Sequence, residues 1–382
     1  MIGAGIFTSL GYQLVDIRSV FSILMLWVVG GILSLFGALS YSELAAALPR
    51  SGGEYYLLSR IIPPSIGFVA GIVSATVGFS APAVLAAIGF ANYFAPILPS
   101  INTTITAVII IVCINILHAT KLNMGKLFQD WTTILKIGLI LIFIIIGLFS
   151  IEHQLISVLP TRSDLKLIAS PEFAVNLVWV SYAYAGWNSS VYVVGEIVQP
   201  GKNIFRSIFI GTTIVTLLYI ALNFVFLYVT PMNELIGKVE VGYLSGVHLF
   251  GTKLATVVSL CIGLLLISTV SSYIYVGPRI IQAIGEDYNR LRILSKTDSQ
   301  GIPYNGFILQ LFISLLFVIT SSFEQVLMYT GITLIITSTI TVCSLFYLRY
   351  KEPDLVRPYK VWGYPWTSLF FVLLNSWVLY YT

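Results

Sequence analysis

Residues Gly3-Ala4-Gly5-Ile6-Phe7 and Tyr182-Ala183-Tyr184-Ala185-Gly186-Trp187-Asn188-Ser189-Ser190 interrupt two apolar runs with small and polar side chains. Glycine inside a helix costs about 1 kcal/mol relative to alanine, and it permits backbone or ligand to approach closely. A helix broken at such a point exposes free N–H groups at the start of one half and free carbonyls at the end of the other, each end bearing part of the helix dipole. A carboxylate suits the amides of Gly3, Ala4 and Gly5, and an ammonium suits carbonyls near Tyr182 and Ala185 and near Met1 and Ile2. The pair has the chemistry of a site for a small zwitterion. Taken alone, the first stretch reads equally well as a small-residue helix-packing face; the second interruption is what favours a site.

Lys136 lies deep in a third apolar run, where a charge costs about 2.5–3.5 kcal/mol even on the mildest insertion scale. Two roles fit it: a group that takes up and releases a proton, or a tether for neighbouring helix backbones that never titrates. Glu43, Glu196 and Arg279 fall near helix ends, where solvation or interface anchoring is the ordinary role and an inner gate network the alternative. His118, His153 and His248 are scattered, so neither a metal nor any other cofactor is expected. Cys113, Cys261 and Cys343 fall within apolar runs and read as small buried residues.

The elements that position these residues follow from composition. Of 382 residues 57% are hydrophobic and 9% charged, with a mean hydropathy of +0.93, whereas soluble domains carry about a quarter charged residues. A helix needs about 20 apolar residues to cross a membrane, and the spans fall near 5–15, 20–48, 65–95, 102–118, 128–149, 173–198, 207–230, 253–284, 303–320, 325–348 and 366–382. Continuous runs exclude a β-barrel, whose strands alternate over about ten residues. With the connection after the second span in the cytoplasm, fourteen of the 20 Lys and Arg fall inside, Arg50, Arg60, Lys121, Lys126 and Lys202 among them. Five fall outside, Arg18, Arg162, Lys166, Lys238 and Lys253, the asymmetry of the positive-inside rule. The basic residues form no cluster with interleaved aromatics, which excludes nucleic acid as a partner.

Two interrupted helices, each opening a block of five spans, point to an inverted-repeat transporter with a site near the midplane. The expected organisation is one transmembrane domain over 1–382, with repeat one at 1–150, repeat two at 171–349 and a further helix from about 366. Met1 is followed by neither a basic region nor a cleavage site, so it opens no signal peptide, and both terminal spans are short enough to suggest clipping. Pro82 should kink the third span, and Gly52 and Gly53 read as turn residues in a surface segment over 49–64. Trp27, Trp131, Trp179 and Trp377 read as packing or interfacial aromatics.

The chain also resembles the amino acid-polyamine-organocation superfamily, and within it the L-type amino acid transporter branch. The resemblance rests on Gly3 to Phe7, Ser40-Tyr41-Ser42-Glu43-Leu44, Pro49-Arg50-Ser51-Gly52-Gly53-Glu54-Tyr55, Tyr184-Ala185-Gly186-Trp187 with Gly195-Glu196, then Pro200, Asn203, Arg206, Arg279, Arg357-Pro358-Tyr359-Lys360 and Gly363-Tyr364-Pro365. It implies an all-α fold of twelve helices with a five-plus-five inverted repeat and broken helices 1 and 6, of which this chain lacks the first half of helix 1 and helix 12. It implies an amino acid substrate held by Ile2, Gly3, Ala4, Gly5, Tyr182, Ala183, Ala185 and Gly186, with Tyr182 as an aromatic gate closing from outside. Ala4 stands where many relatives have serine, which removes a hydroxyl contact. Lys136 matches a helix 5 lysine that replaces sodium in sodium-independent relatives, and in either of its roles it argues against sodium coupling there.

The expectation is therefore an amino acid permease of the cytoplasmic membrane, not an enzyme, driven by protons or by exchange, with membrane lipid around it. The alternative on the same fold is a carrier of polyamines or other organic cations, which would favour acidic side chains in the central site. Animal members of the L-type branch join a glycoprotein through an external cysteine; residues 96–101 contain none, so no covalent heavy subunit is expected.

Overall fold

The computed structural model describes every residue except 1, 99, 101, 121–124, 193 and 300, and the side chains of 125–129 and 196 are also outside the described set. The helices are α1 (Gly5–Asp16), α2 (Val20–Ala47), α3 (Gly53–Ile61), α4 (Pro64–Val73), α5 (Ser80–Phe94), α6 (Thr103–Thr120), α7 (Gly125–Leu148), α8 (Arg162–Ile168) and α9 (Pro171–Tyr184). They continue with α10 (Ser189–Tyr192), α11 (Pro200–Val229), α12 (Met232–Leu235), α13 (Val241–Asp287), α14 (Tyr304–Thr320), α15 (Phe323–Lys351) and α16 (Trp366–Tyr381). No strand occurs among the described residues. The chain is an all-α polytopic membrane protein: seven helical segments are long and apolar enough to span a bilayer, and α14 is a shorter apolar helix.

Burial separates centre from periphery. The apolar windows of α2 and of the 64–94 segment are 56% and 61% buried by protein, against 28% for α6 and 33% for α7, so α2 and α5 form the inside of the bundle while α6 and α7 leave most of their surface to lipid. All three cysteines, expected to be buried, are exposed on outer helix faces, because lipid covers an apolar span as readily as protein does. Trp27 is wholly buried and donates to Gln13 at 3.1 Å, whereas Trp131 is exposed.

Breaks in the helices follow local chemistry. A π-helical turn over Ser74–Gly78 joins α4 to α5 just ahead of Pro82, where the missing proline N–H cannot continue the helical ladder. Helix α13, 47 residues long, would exceed a bilayer twice over if straight; Gly251, at φ 74°, breaks it. The segment over 49–64 differs from the surface loop expected of it. Past the turn at Gly52 and Gly53, both at positive φ, it folds into α3, whose Glu54, Tyr55, Leu57 and Leu58 are buried.

Connections group onto two faces. Arg50 pairs with Asp287 at 3.5 Å and Arg60 with Glu352 at 2.8 Å, which brings the α2–α3 connection, the end of α13 and the end of α15 to one face, hereafter the basic face. On the opposite face Ser22 donates to Asp164 at 3.0 Å, Asn176 to Asp16 at 3.0 Å and the Gly237 amide to the Gly11 carbonyl at 2.8 Å.

Candidate substrate site

Helix α1 begins at Gly5 with no side-chain cap, so its first amides keep the free donors of a helix N-terminus. Helix α9, in the span expected over 173–198 with an interruption at 182–190, stops at Tyr184; the Ala185 amide closes on the Tyr182 carbonyl at 3.0 Å and Gly186, at φ 95°, turns the chain away. The two ends meet side by side. A Cβ on Gly5 would collide with the Cα of Ala183, which is why the position is glycine. The Gly3 amide lies against the Tyr219 hydroxyl. Ala4 and Gly5 are buried, Ile2 and Gly3 half-buried. The sequence-predicted residues are thus split: Gly3, Ala4 and Gly5 pack with Ala183, while Ala185 and Gly186 line cavities one step nearer the basic face. Met1 lies outside the described residues. Tyr182, 5% exposed, stands near Tyr219 and Tyr273.

Lys136 reaches this junction from α7. Its buried Nζ donates to the Ile2 carbonyl at 3.2 Å and to Thr269 Oγ1 of α13 at 2.9 Å. An ammonium has three donors, and two of them tie α1 to α13. The Ile2 carbonyl therefore already accepts a cation from the protein itself, and the carbonyl end of α9 is the part of the junction left for a substrate ammonium.

Toward the opposite face the route is covered by rings: Tyr12 stacks on Trp179 (centroids 4.8 Å apart, planes at 3°) and on Phe323 (5.8 Å, 19°). Toward the basic face lie two cavities that share Glu54, Ala185, Gly186 and Asn188. Glu54, 2% exposed, accepts from the Tyr41 hydroxyl at 2.7 Å and from Asn188 Nδ2 at 2.9 Å. Burial pushes its carboxyl above the ordinary range, and hydrogen bonds from Tyr41, Thr337 and Asn188 pull against that. Sequence reasoning quoted Glu54 only as part of a motif and missed its place in the cavity, as it missed Asn188 and Tyr219. The available signal was an acid immediately after a Gly-Gly turn, with no basic residue before Arg60 on its own helix.

Glu43, for which solvation or interface anchoring was the ordinary expectation and an inner gate network the alternative, is 1% exposed and pairs with Arg349 at 2.5 Å and Arg357 at 3.4 Å, and the Val361 amide donates to it at 2.7 Å. Two guanidiniums from the end of α15 and the loop after it cover the carboxylate, so it is closed off from solvent rather than facing it. Arg279 is half-buried and lies over the Tyr275 ring at 3.5 Å, and the Glu196 side chain lies outside the described residues. His118 Nε2 hydrogen-bonds Ser271 at 2.7 Å and His248 pairs with Glu234 at 2.8 Å; no cluster that could hold a metal occurs among the described residues.

The sequence matches a family model described as amino acid permease over residues 1–381. The chain is 27% identical to the mouse (Mus musculus) large neutral amino acids transporter small subunit 2 over 371 residues, 94% of this chain and 70% of that protein. It is 25% identical to the mouse b(0,+)-type amino acid transporter 1, covering 94% of this chain and 75% of the relative, and 26% identical to the human (Homo sapiens) cystine/glutamate transporter, covering 94% and 73%. These relatives are named as transporters. A bundle of apolar helices, two helix ends meeting at a junction suited to a zwitterion, and a family match along almost the whole chain together make this protein a member of the amino acid permease family.

Proposed function

We propose that this permease binds the amino acid at the junction of α1 and α9 and moves it across the cytoplasmic membrane by alternating access, with the α2–α3 connection in the cytoplasm. The halves 1–150 and 171–349 act as inverted repeats, one bundle rocking against a scaffold around the fixed site. The substrate carboxylate takes the amides at Gly3, Ala4 and Gly5, displacing the Tyr219 hydroxyl from that of Gly3, and its ammonium takes the carbonyl end at Tyr182 to Ala185. Tyr182 closes over it from outside.

The observation that carries this reading is Lys136, whose ammonium bridges Ile2 and Thr269 beside the helix ends. A fixed positive charge there does the work of a bound sodium ion in holding α1 against α13, and it makes sodium coupling at that position redundant. Energy comes from protons through Lys136 or from exchange of one amino acid for another. The relatives' names, neutral amino acids and cystine/glutamate among them, support an amino acid over a polyamine. The cysteines all lie within helices, away from the connection between α5 and α6, which supports function without a disulfide-linked partner.

The test is uptake of a labelled amino acid panel into proteoliposomes, with and without an inward proton gradient, by the wild type and Lys136→Ala. Gradient-driven accumulation that the substitution abolishes is the expected result for proton coupling. Transport only into liposomes preloaded with amino acid means exchange. Failure to bind or carry any amino acid overturns the proposal.

A further inference from the structure

Four arginines of the basic face are each paired with a carboxylate other than Glu54. Arg50 pairs with Asp287, Arg60 with Glu352, and Arg349 and Arg357 with Glu43. Glu54 is the exception: as buried as Glu43, it meets only neutral donors among the described residues, the Tyr41 hydroxyl from α2, the Asn188 amide beside the α9 break and the Thr337 side chain from α15. The remaining described neighbours bring no charge to it. Tyr192 of α10 is a phenol facing it, α4 contains no titratable residue, and on its own helix Tyr55 donates to Asp287 while Arg60 points to Glu352. An isolated charge held this deep is costly unless paired, and the usual resolution is to bind a proton.

From this geometry we infer that Glu54 is a proton-binding site on the basic-face side of the substrate junction, neutral while that side is closed and ionised when it opens to water. The inference rests on the permease reading for its place in a cycle but not for the protonation itself. In the closed form the protonated carboxyl sits between Tyr41, Asn188 and Thr337 and joins α2, α3, α15 and the segment after the α9 break. Asn188 couples it to the substrate, because this side chain lies three residues from Ala185 and lines both cavities. Any movement of the break that admits water to these cavities hydrates Glu54, and the proton passes from its carboxyl oxygen to that water. Closure removes the water and the carboxylate takes a proton back from the same side. A substrate leaving toward the basic face thus leaves past a group whose charge reports whether that side is open. Lys136 is a second, separate polar group, tied to α1 and α13, and Glu54 requires no change in its protonation.

The experiment is an infrared difference titration of the purified full-length protein, following the carbonyl stretch of a protonated buried carboxyl. A band that persists above the ordinary carboxylate range, disappears as pH is raised further, and is absent from Glu54→Gln, is the expected result. Asn188→Ala removes a donor to the charged form, so the band should persist to higher pH; this second variant keeps the assignment testable if Glu54→Gln does not fold. In proteoliposomes, amino acid uptake by Glu54→Gln should lose its dependence on pH on the basic-face side, whatever its absolute rate. No titrating carboxyl band in the wild type, or one that Glu54→Gln leaves in place, overturns the proposal. A band that behaves as expected in a protein that carries no amino acid overturns the permease mechanism and leaves the proton site standing.

Discussion

On the face bearing Asp16, the way to the helix junction is filled by Tyr12, Trp179 and Phe323 stacked ring on ring, and the α8 segment is held to α2 through Asp164. On the basic face the junction is flanked by two cavities, and the helices around them are held by ion pairs that include a carboxylate buried beneath two guanidiniums. Ring stacking is short-ranged and lost once the rings part by a few ångströms. Paired charges in a poorly hydrated setting cost most when one partner is removed and the other is left behind. The two faces should therefore respond differently to substitution: the ring-covered face by opening, the basic face by losing stability.

The largest effect should come from Glu43. Its removal leaves Arg357, 7% exposed at the side chain, without its carboxylate, and breaking a buried pair from one side costs about 3–5 kcal/mol. Glu43→Ala should lower the thermal unfolding temperature of the purified protein more than any single substitution in the ring-covered face. Glu43→Gln, which retains an acceptor for the Val361 amide, should recover part of the loss. A Glu43→Ala variant as stable as the wild type would mean that the two guanidiniums are satisfied by backbone carbonyls, several of which Arg357 already contacts.

Next in size is Tyr12→Ala. Two stacked partners are lost, each aromatic pair being worth about 0.5–1.5 kcal/mol beyond the area it buries, a total near 1–3 kcal/mol set against closure of the ring-covered face. A cysteine placed at Ala183 should then react faster with a membrane-impermeant thiol reagent added on that face, after the native cysteines are replaced. Unchanged reactivity would show that Tyr182 alone holds this side shut and would erase the contrast between the faces.

The same contrast explains what the sequence could reveal. Hydropathy located most spans to within a few residues, because a bilayer imposes length and apolarity on each helix separately, although α11 and α13 begin at Pro200 and Val241, ahead of the expected 207 and 253. The stop of α9 at Tyr184 was legible for a similar reason: Ala185 and Gly186 signal it locally. Glu43 and Glu54 were not legible, since a charge eleven or so residues from its neighbour along the chain gives no hint whether two arginines or three neutral donors will face it after folding. Arg349 is 306 residues from Glu43, and Asn188 is 134 from Glu54. The exposed cysteines failed for the opposite reason, as an apolar span looks alike from its lipid side and its protein side.

Asp164 offers the smallest and sharpest comparison, because it is a buried carboxylate like Glu43 but lies on the ring-covered face and has no cation partner among the described residues. Hydroxyl donors do the work instead: Ser19 first, then Thr161 through its side chain and amide, and Ser22, together holding its carboxyl down at about 2. Its value in the folded protein lies below the ordinary carboxylate range, so the ionised form is the stabilised one. Its contribution is complete above that range and fades as pH falls through it toward about 2. The side chain is only 6% exposed, yet the site is shallow and close to bulk water, so screening reduces the contribution to about 1 kcal/mol. Asp164→Asn should lower the unfolding temperature modestly at neutral pH, and the gap from wild type should close as pH is lowered. If the Asp164→Asn gap is independent of pH, the cluster stabilises through packing and the capping box of α8 rather than through the carboxylate charge, and the ring-covered face is held without electrostatic help.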